Sequence, residues 1–446
     1  MSVRRVLTVR ILVILSVFLA VAGVVAACGR VDSISRPSST TTSDLAPTAG
    51  ITQPNGTLQT LSSVDGWTIT LIPGTDKIRG QYDQIPESVG LSSNQGGSPP
   101  GPSTFEPSVA TDGGRVVYSA YYGGRPQVYL YDIASGTVTQ VTNDPADSQA
   151  AYGEMIQVQI SGDWVAWQRG NNTGAIFLHN LATGETRQFQ PRETVTSWRL
   201  TGGRLAWVEG IGLQQAQLYL YDPAVGSPQT IASAHGLVGF AMDNKHLAWV
   251  GGANGNEMCL YDLATGKTKK VTDASQHPGD LVLRDDVLAW VERYGDLSKL
   301  FVCSVQTGET KELDEFGPFN PELQSDGRYL AWNRGEEATG TEVRVYDTKT
   351  GVVIKLGDVT VEEDSWPALD AGRIAWTRAY RQVGKAMTNE VIMVRDLPDG
   401  PALQLTDSPW IDQPPSMSGD HIAWTRDSSP DGVPSRAIFV ASHTGS

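Results

Sequence analysis

One dipeptide recurs along this chain at a near-constant interval, and that interval limits the fold more than any other feature. Ala-Trp stands at Ala166-Trp167, Ala206-Trp207, Ala248-Trp249, Ala289-Trp290, Ala331-Trp332, Ala375-Trp376 and Ala423-Trp424, with Val117-Tyr118 as a degenerate first copy. Successive aromatics are 49, 40, 42, 41, 42, 44 and 48 residues apart. A period of about 40–45 residues with β-type composition belongs to propeller blades and excludes helical solenoids.

Each copy follows one grammar. A turn such as SGD, TGG, SDG or DAG precedes an apolar strand ending in Ala-Trp. A variable polar loop leads to an alternating strand such as QVYLYD, AIFLHN or EVRVYD. A turn then opens on Asp132, Asp222, Asp262, Asp347 or Asp396, with Asn180 and Ser304 as substitutes. It closes on Gly136, Gly184, Gly226, Gly266, Gly308, Gly351 or Gly400. A short acceptor that captures turn amides, followed by a residue free to take positive φ, is hairpin chemistry, so these aspartates are read as structural. The repeated tryptophans are read as large core residues packed between sheets.

These units predict an all-β chain: a single β-propeller of eight four-stranded blades, or seven if the degenerate copy belongs to an irregular cap. The last copy reaches its third strand, AIFVASH, and the sequence stops at Ser446 without a fourth. An open sheet edge is an aggregation liability, so an N-terminal strand is expected to close the ring. Two segments qualify: Gly56 to Leu61 (GTLQTL), preferred for its match to fourth strands, and Trp67 to Ile72 (WTITLI).

The N-terminus reads as an address. Arg4, Arg5 and Arg10 precede the uncharged apolar run from Ile11 to Ala27, the pattern of a secretory signal. The run ends in Val25-Ala26-Ala27-Cys28, which resembles the lipobox of bacterial lipoproteins; an ordinary signal peptide or an uncleaved anchor is the alternative. The resemblance implies cleavage before Cys28 and lipid on its sulfur, which would hold the chain at a membrane surface. Residues 1–27 are thus the signal, 28–54 a Ser/Thr/Pro-rich tether, and 55–446 the propeller, with repeats from about 105. A Gly/Ser/Pro stretch at 91–103 lies just before them.

Charge narrows the partners. With 34 basic and 49 acidic residues the net charge is −15, and removal of the signal takes it to −18. A phosphate backbone demands a basic face, so no nucleic-acid partner is expected. Three cysteines exclude a disulfide-stapled scaffold. Cys259 and Cys303 fall in third strands of successive blades, two residues apart in register. At a sheet separation of about 10 Å they are read as buried free thiols rather than a bridge.

The grammar resembles the TolB-like propeller repeat, related to Trp-Asp repeats. The matches are Ser325-Asp326-Gly327 with Ala331-Trp332, and Val141-Thr142, Val271-Thr272 and Leu405-Thr406. The likeness covers about residues 105–446 and departs from the family pattern in lacking the turn proline. It implies a protein-interaction or ligand-binding platform in the cell envelope, extracytoplasmic and here lipid-anchored.

No H-E-x-x-H, P-loop, G-x-S-x-G or dinucleotide glycine fingerprint occurs, so no catalytic residue is assigned. Two loop sets should share one face of the ring: those linking a fourth strand to the next blade, and those following Ala-Trp. The first contributes His235, His277, Asp280, Asn320, Asp364, Trp410 and Asp412; the second contributes Tyr122, Arg293 and Arg378. Acids, aromatics and arginines on one rim suit an envelope protein, peptide or glycan. His235, His277 and Asp280 also admit a divalent metal, because a TolB-like lyase of oligogalacturonides holds a metal through histidines on such a face. The sequence therefore predicts a monomeric, non-catalytic binding platform without a required cofactor. A metal-dependent envelope polysaccharide lyase is the alternative.

Overall fold

The computed structural model describes residues 39–41, 59–79, 108–120, 126–143, 156–169, 174–210, 215–235, 237, 239–251, 257–272, 279–317, 321–336, 340–357, 362–380, 389–428 and 435–444. Its regular structure is almost wholly antiparallel strand, arranged in eight four-stranded units. Blade 1 is Val109–Asp112, Arg115–Ala120, Gln127–Asp132 and Thr137–Gln140; blade 2 is Ile156–Ser161, Trp164–Arg169, Ile176–Asn180 and Thr186–Phe189. Blade 3 comprises Val195–Thr201, Arg204–Glu209, Gln215–Tyr221 and Gln229–His235, and blade 4 Gly239–Met242, His246–Gly251, Glu257–Asp262 and Lys267–Thr272. Blade 5 is Gly279–Arg284, Val287–Tyr294, Leu297–Ser304 and Thr310–Phe316; blade 6 is Gln324–Ser325, Tyr329–Glu336, Gly340–Asp347 and Val353–Lys355. Blade 7 follows as Glu362–Asp370, Arg373–Tyr380, Glu390–Asp396 and Leu403–Gln404. Blade 8 supplies Ser416–Ser418, His421–Ser428 and Ser435–His443 from the C-terminus.

First strands of neighbouring blades touch in unbroken order from blade 1 to blade 8 and back to blade 1, so they ring the axis. Ala-Trp explains how the blades stack. Adjacent residues of a strand point to opposite faces, so the alanine of one blade and the tryptophan of the next meet in the same interface. Ala166 shares a core cluster with Trp207, Ala206 with Trp249, Ala248 with Trp290, and Ala289 with Trp332. Ala331 joins Trp376, and Ala375 joins Trp424. The degenerate copy works the same way: Val117 lies with Trp167, and Tyr118 with Ala423. A methyl group on one side leaves room for an indole on the other, and this small-to-large pairing is reused at all eight interfaces.

Trp67–Leu71 closes the ring. It pairs with Ser435–His443 in the register Trp67↔His443 to Leu71↔Phe439 and becomes the fourth strand of blade 8. The preferred GTLQTL segment does not; instead Gln59–Val64 folds back as a fifth, outer strand through a hairpin at Asp65-Gly66. The reason is amphipathicity. Trp67 and Ile69 bury their side chains in the interface between blades 7 and 8, whereas Leu61 is 50% exposed.

The recurring turns carry the expected chemistry. Asp262 accepts amides from Ala264 and Thr265, Asn180 from Ala182 and Thr183, and each closing glycine amide returns to the carbonyl of the turn-opening residue. The recurring threonine after the fourth strand caps the third: Thr142 and Thr406 accept the Val128 and Ile392 amides at 2.9 Å. The residue preceding the first turn links blades. The turn amides of Gly162, Gly202, Gly372, Gly419 and Gly113 donate to Asp112, Ser161, Asp326, Asp370 and Ser418 of the preceding blade.

Two features depart from expectation. Ser39–Thr41, in the segment expected to be a tether, pairs with Phe189, Gln188 and Arg187 as a fifth strand on blade 2. Cys303 is a buried free thiol, but Cys259 is disulfide-bonded, and not to Cys303. Neighbouring blades do keep the two apart, so the expected absence of a Cys259–Cys303 bridge holds while free Cys259 does not. Cys28, the chain's third cysteine, lies outside the described residues.

Candidate functional site

The starts of the first strands and the ends of the second strands share one axial face, as their antiparallel registers require. Blades 5, 6 and 7 build a cluster there. In blade 5 the first strand bulges between Gly279 and Val282, and Asp280 sits in the bulge, exposed, at φ 41°. Blade 7 repeats the device. Its first strand shifts register between Ser365 and Ala368, and Trp366 takes φ 53° with 47% of its surface exposed. Positive φ in a non-glycine residue is strained, and bulges re-aim side chains, so two such sites at equivalent positions mark a shaped rim.

Glu322 lies between them, just before the first strand of blade 6. Its amide donates to Asn333 Oδ1 at 2.6 Å, and its carboxylate takes hydrogen bonds from the Trp366 backbone and the Asn333 side chain. Its Oε2 is buried without a hydrogen-bond partner among the described residues. Burial raises the Glu322 pKa, repulsion from Asp280 adds to this, and the hydrogen bonds oppose it without cancelling it. Glu390 is also raised, by burial first and then by Asp412 and Glu363.

Two residues before Trp366 the strand is braced by ionic chemistry. Asp364 is fully buried and accepts both Nε (2.7 Å) and Nη2 (2.8 Å) of Arg378, its cross-strand partner; Glu362 lies 2.9 Å from Arg378 Nη1. Burial works against the arginine's charge, but the two acids outweigh it and hold its pKa above the usual value. Ser365 bonds Thr341 at 3.0 Å, and its carbonyl accepts Thr377 Oγ1 at 3.2 Å. Arg378 and Asp364 therefore fix the strand that carries Trp366.

Asp412 braces the next interface, between blades 7 and 8. The short strand Ile411–Asp412 pairs in parallel with Glu390 of blade 7 and antiparallel with Arg426 and Asp427 of blade 8, joining the two sheets. Its carboxylate is fully buried and takes Trp424 Nε1 at 3.0 Å and Arg426 Nη2 at 2.9 Å. Trp410 is half-buried beside it, and Ile411 is 40% exposed. Arg293 is exposed at the end of the second strand of blade 5, next to Tyr294, whose hydroxyl donates to Glu292 at 2.6 Å.

His277, Asn320 and Tyr122 lie outside the described residues. His235 ends the fourth strand of blade 3, opposite Gln215, and its side chain is likewise outside the description. Among the described residues no group of three or more His, Cys, Asp or Glu side chains is placed to hold a metal ion. The structure thus brings Asp280 together with Glu322 and Trp366, two residues that sequence reasoning missed. A Trp-Pro step inside a strand was the available signal for the second.

No protein-family model matches the chain, and no curated protein matches it in sequence. Among solved structures, tricorn protease is similar with a TM-score of 0.40 at 12% identity over 72% of this chain, which spans only 36% of that protein. An oligogalacturonate lyase from Vibrio parahaemolyticus gives 0.47 at 15% identity over 92% of this chain and 98% of that one. TolB from Acinetobacter baumannii gives 0.35 at 18% over 65% and 75%. The architecture rests on the strand pairing above, independently of these likenesses.

Proposed function

We propose that this protein is an extracytoplasmic β-propeller that binds a protein or peptide, without catalysis, on the axial face formed by blades 5–7. The observation that carries the reading is the arrangement of Asp280, Glu322 and Trp366: two strained bulges that flank a desolvated carboxylate with an unused oxygen. An exposed indole beside acids suits a cationic or amphipathic ligand segment, since aromatic anchors dominate such contacts and charge steers the approach. The bracing pairs beside it, Asp364–Arg378 and Asp412–Arg426, give a rigid frame of the kind binding sites need.

A second reading keeps a metal-dependent lyase in play, on one observation: Asp280 and Glu322 are close enough for their charges to repel, and a cation would relieve this. His277 stands three residues before Asp280 in sequence. Two carboxylates fall short of a metal site by themselves.

Binding separates the readings. The mature chain is immobilised and exposed to envelope extract, and the retained partner is then titrated against Asp280→Asn, Glu322→Gln and Trp366→Ala. Affinity losses of about tenfold or more for Trp366→Ala and for the acid variants support the platform. Unchanged affinity in all three, or stoichiometric metal that is lost in Asp280→Asn, overturns it.

A further inference from the structure

One guanidinium near the axis has no carboxylate among the described residues. Arg199 lies on the first strand of blade 3, Val195–Thr201. Trp198 and Leu200 are buried against blade 2, so strand alternation turns Ser197, Arg199 and Thr201 to the opposite face. Thr201 confirms the direction by reaching the Met242 carbonyl of blade 4.

The Arg199 side chain is accessible to solvent, yet protein surrounds the guanidinium closely enough for desolvation alone to lower its pKa. An outer-surface arginine would not be desolvated, and a core arginine would not be accessible. Arg199 lies on a first strand, and the first strands ring the axis, so its exposed side chain borders the axial opening they enclose. Its hydrogen bond among the described residues is from Nη1 to the Trp198 carbonyl, 3.1 Å away.

Other enclosed arginines differ. Arg344, Arg378, Arg426 and Arg436 each meet an acid at 2.5–3.1 Å. In a chain with 49 acidic residues against 34 basic ones, folding gives no reason to leave Arg199 without one. Ser197 Oγ, on the same face, is also buried with no hydrogen-bond partner among the described residues. Arg199 is thus the accessible donor, and the Ser197 hydroxyl is a second, enclosed one on the same strand face.

We propose that Arg199 and Ser197 form an anion subsite in the axial channel that receives the terminal carboxylate of a peptide ligand. This rests on the peptide-binding reading above and names the ligand's end. A planar fork plus one hydroxyl matches a monoanionic carboxylate, whereas a polyanion would meet the field of a strongly acidic chain. Further round the same axis, Asp280 and Glu322 complement a basic side chain. A C-terminal carboxylate preceded within a few residues by Lys or Arg satisfies both ends of the site.

Two random peptide pools, identical except for free-acid or amidated C-termini, are passed over the immobilised mature protein, and retained peptides are sequenced and resynthesised in both forms. The free acid is expected to bind about tenfold or more tightly than its amide, as the loss of a charge-assisted contact implies. Arg199→Met should abolish that discrimination while melting at or above the wild-type Tm, because it removes a desolvated charge that no described acid pairs. Arg199→Lys keeps the charge but not the fork; it should bind the acid several-fold more weakly, and it keeps the test readable if Arg199→Met does not fold. Equal binding of acid and amide overturns the subsite and leaves the rim reading standing. Retention of neither pool overturns both.

Discussion

Replacing each repeat tryptophan by phenylalanine separates two contributions that burial alone leaves combined. Trp207, Trp290, Trp332 and Trp424 are almost wholly buried, and each indole N–H donates to a carboxylate: Glu209 at 2.7 Å, Glu292 at 2.8 Å, Asp314 at 3.0 Å and Asp412 at 3.0 Å. Trp376 is equally buried, but its Nε1 has no hydrogen-bond partner among the described residues, and Trp167 is the same. The smaller ring leaves a cavity that costs about 1 kcal/mol, at ~24 cal/mol per Å³. In the first group the change also strips a donor from a carboxylate, and hydrogen bonds to charged groups are worth roughly 1.5–3 kcal/mol. The four carboxylate-bonded positions should therefore lose about 2.5–4 kcal/mol, while Trp376→Phe and Trp167→Phe lose about 1 kcal/mol. Urea unfolding followed by far-UV circular dichroism measures this, with midpoints compared across the series in case the ring does not unfold in one step. The reasoning fails if Trp376→Phe shifts the midpoint as far as Trp424→Phe, or if the losses follow position round the ring instead of the carboxylate.

Other consequences are open to direct measurement. Because the folded Glu322 pKa is raised, its charge costs stability; the group favours folding only below its ordinary pKa, and that benefit is lost as pH rises through the folded value. Glu322→Gln should accordingly melt higher than wild type at pH 7 to 8, with the gap closing as pH falls through the folded pKa, and a pH-independent gap would refute it. Peptide mapping without reductant should recover Cys259 in a disulfide-linked peptide and Cys303 as a free thiol, and alkylation of Cys259 in the unreduced protein would contradict this.

The blade architecture was legible because one packing solution is repeated. Every interface needs a small residue opposite an indole, so Ala-Trp recurs, and even Val117-Tyr118 keeps the relation of small to large. Ring closure was half legible: the missing fourth strand announced a borrowed one, but a match to the fourth-strand pattern favoured GTLQTL over the segment whose alternation buries Trp67 and Ile69. Loop membership also placed Asp364, Arg378 and Asp412 on the rim. It could not show that the Asp364↔Arg378 register and the Ile411–Asp412 strand turn those charges inward on each other. Glu322 and Trp366 stayed hidden because their meeting depends on two bulges in different blades, which no local spacing records. Arg199 was hidden for a similar reason, since only the closed ring turns an exposed strand residue into an enclosed one.

Hydroxyl-radical footprinting of the mature protein, free and with its captured partner, tests most directly whether the axial rim is the binding face. Protection is predicted at Trp366, Tyr294 and Leu297 on the face that carries Asp280 and Glu322, with no change at Val225, Val352 and Val353 on the opposite turns. Protection confined to those opposite turns, with Trp366 equally reactive in both states, would contradict the account.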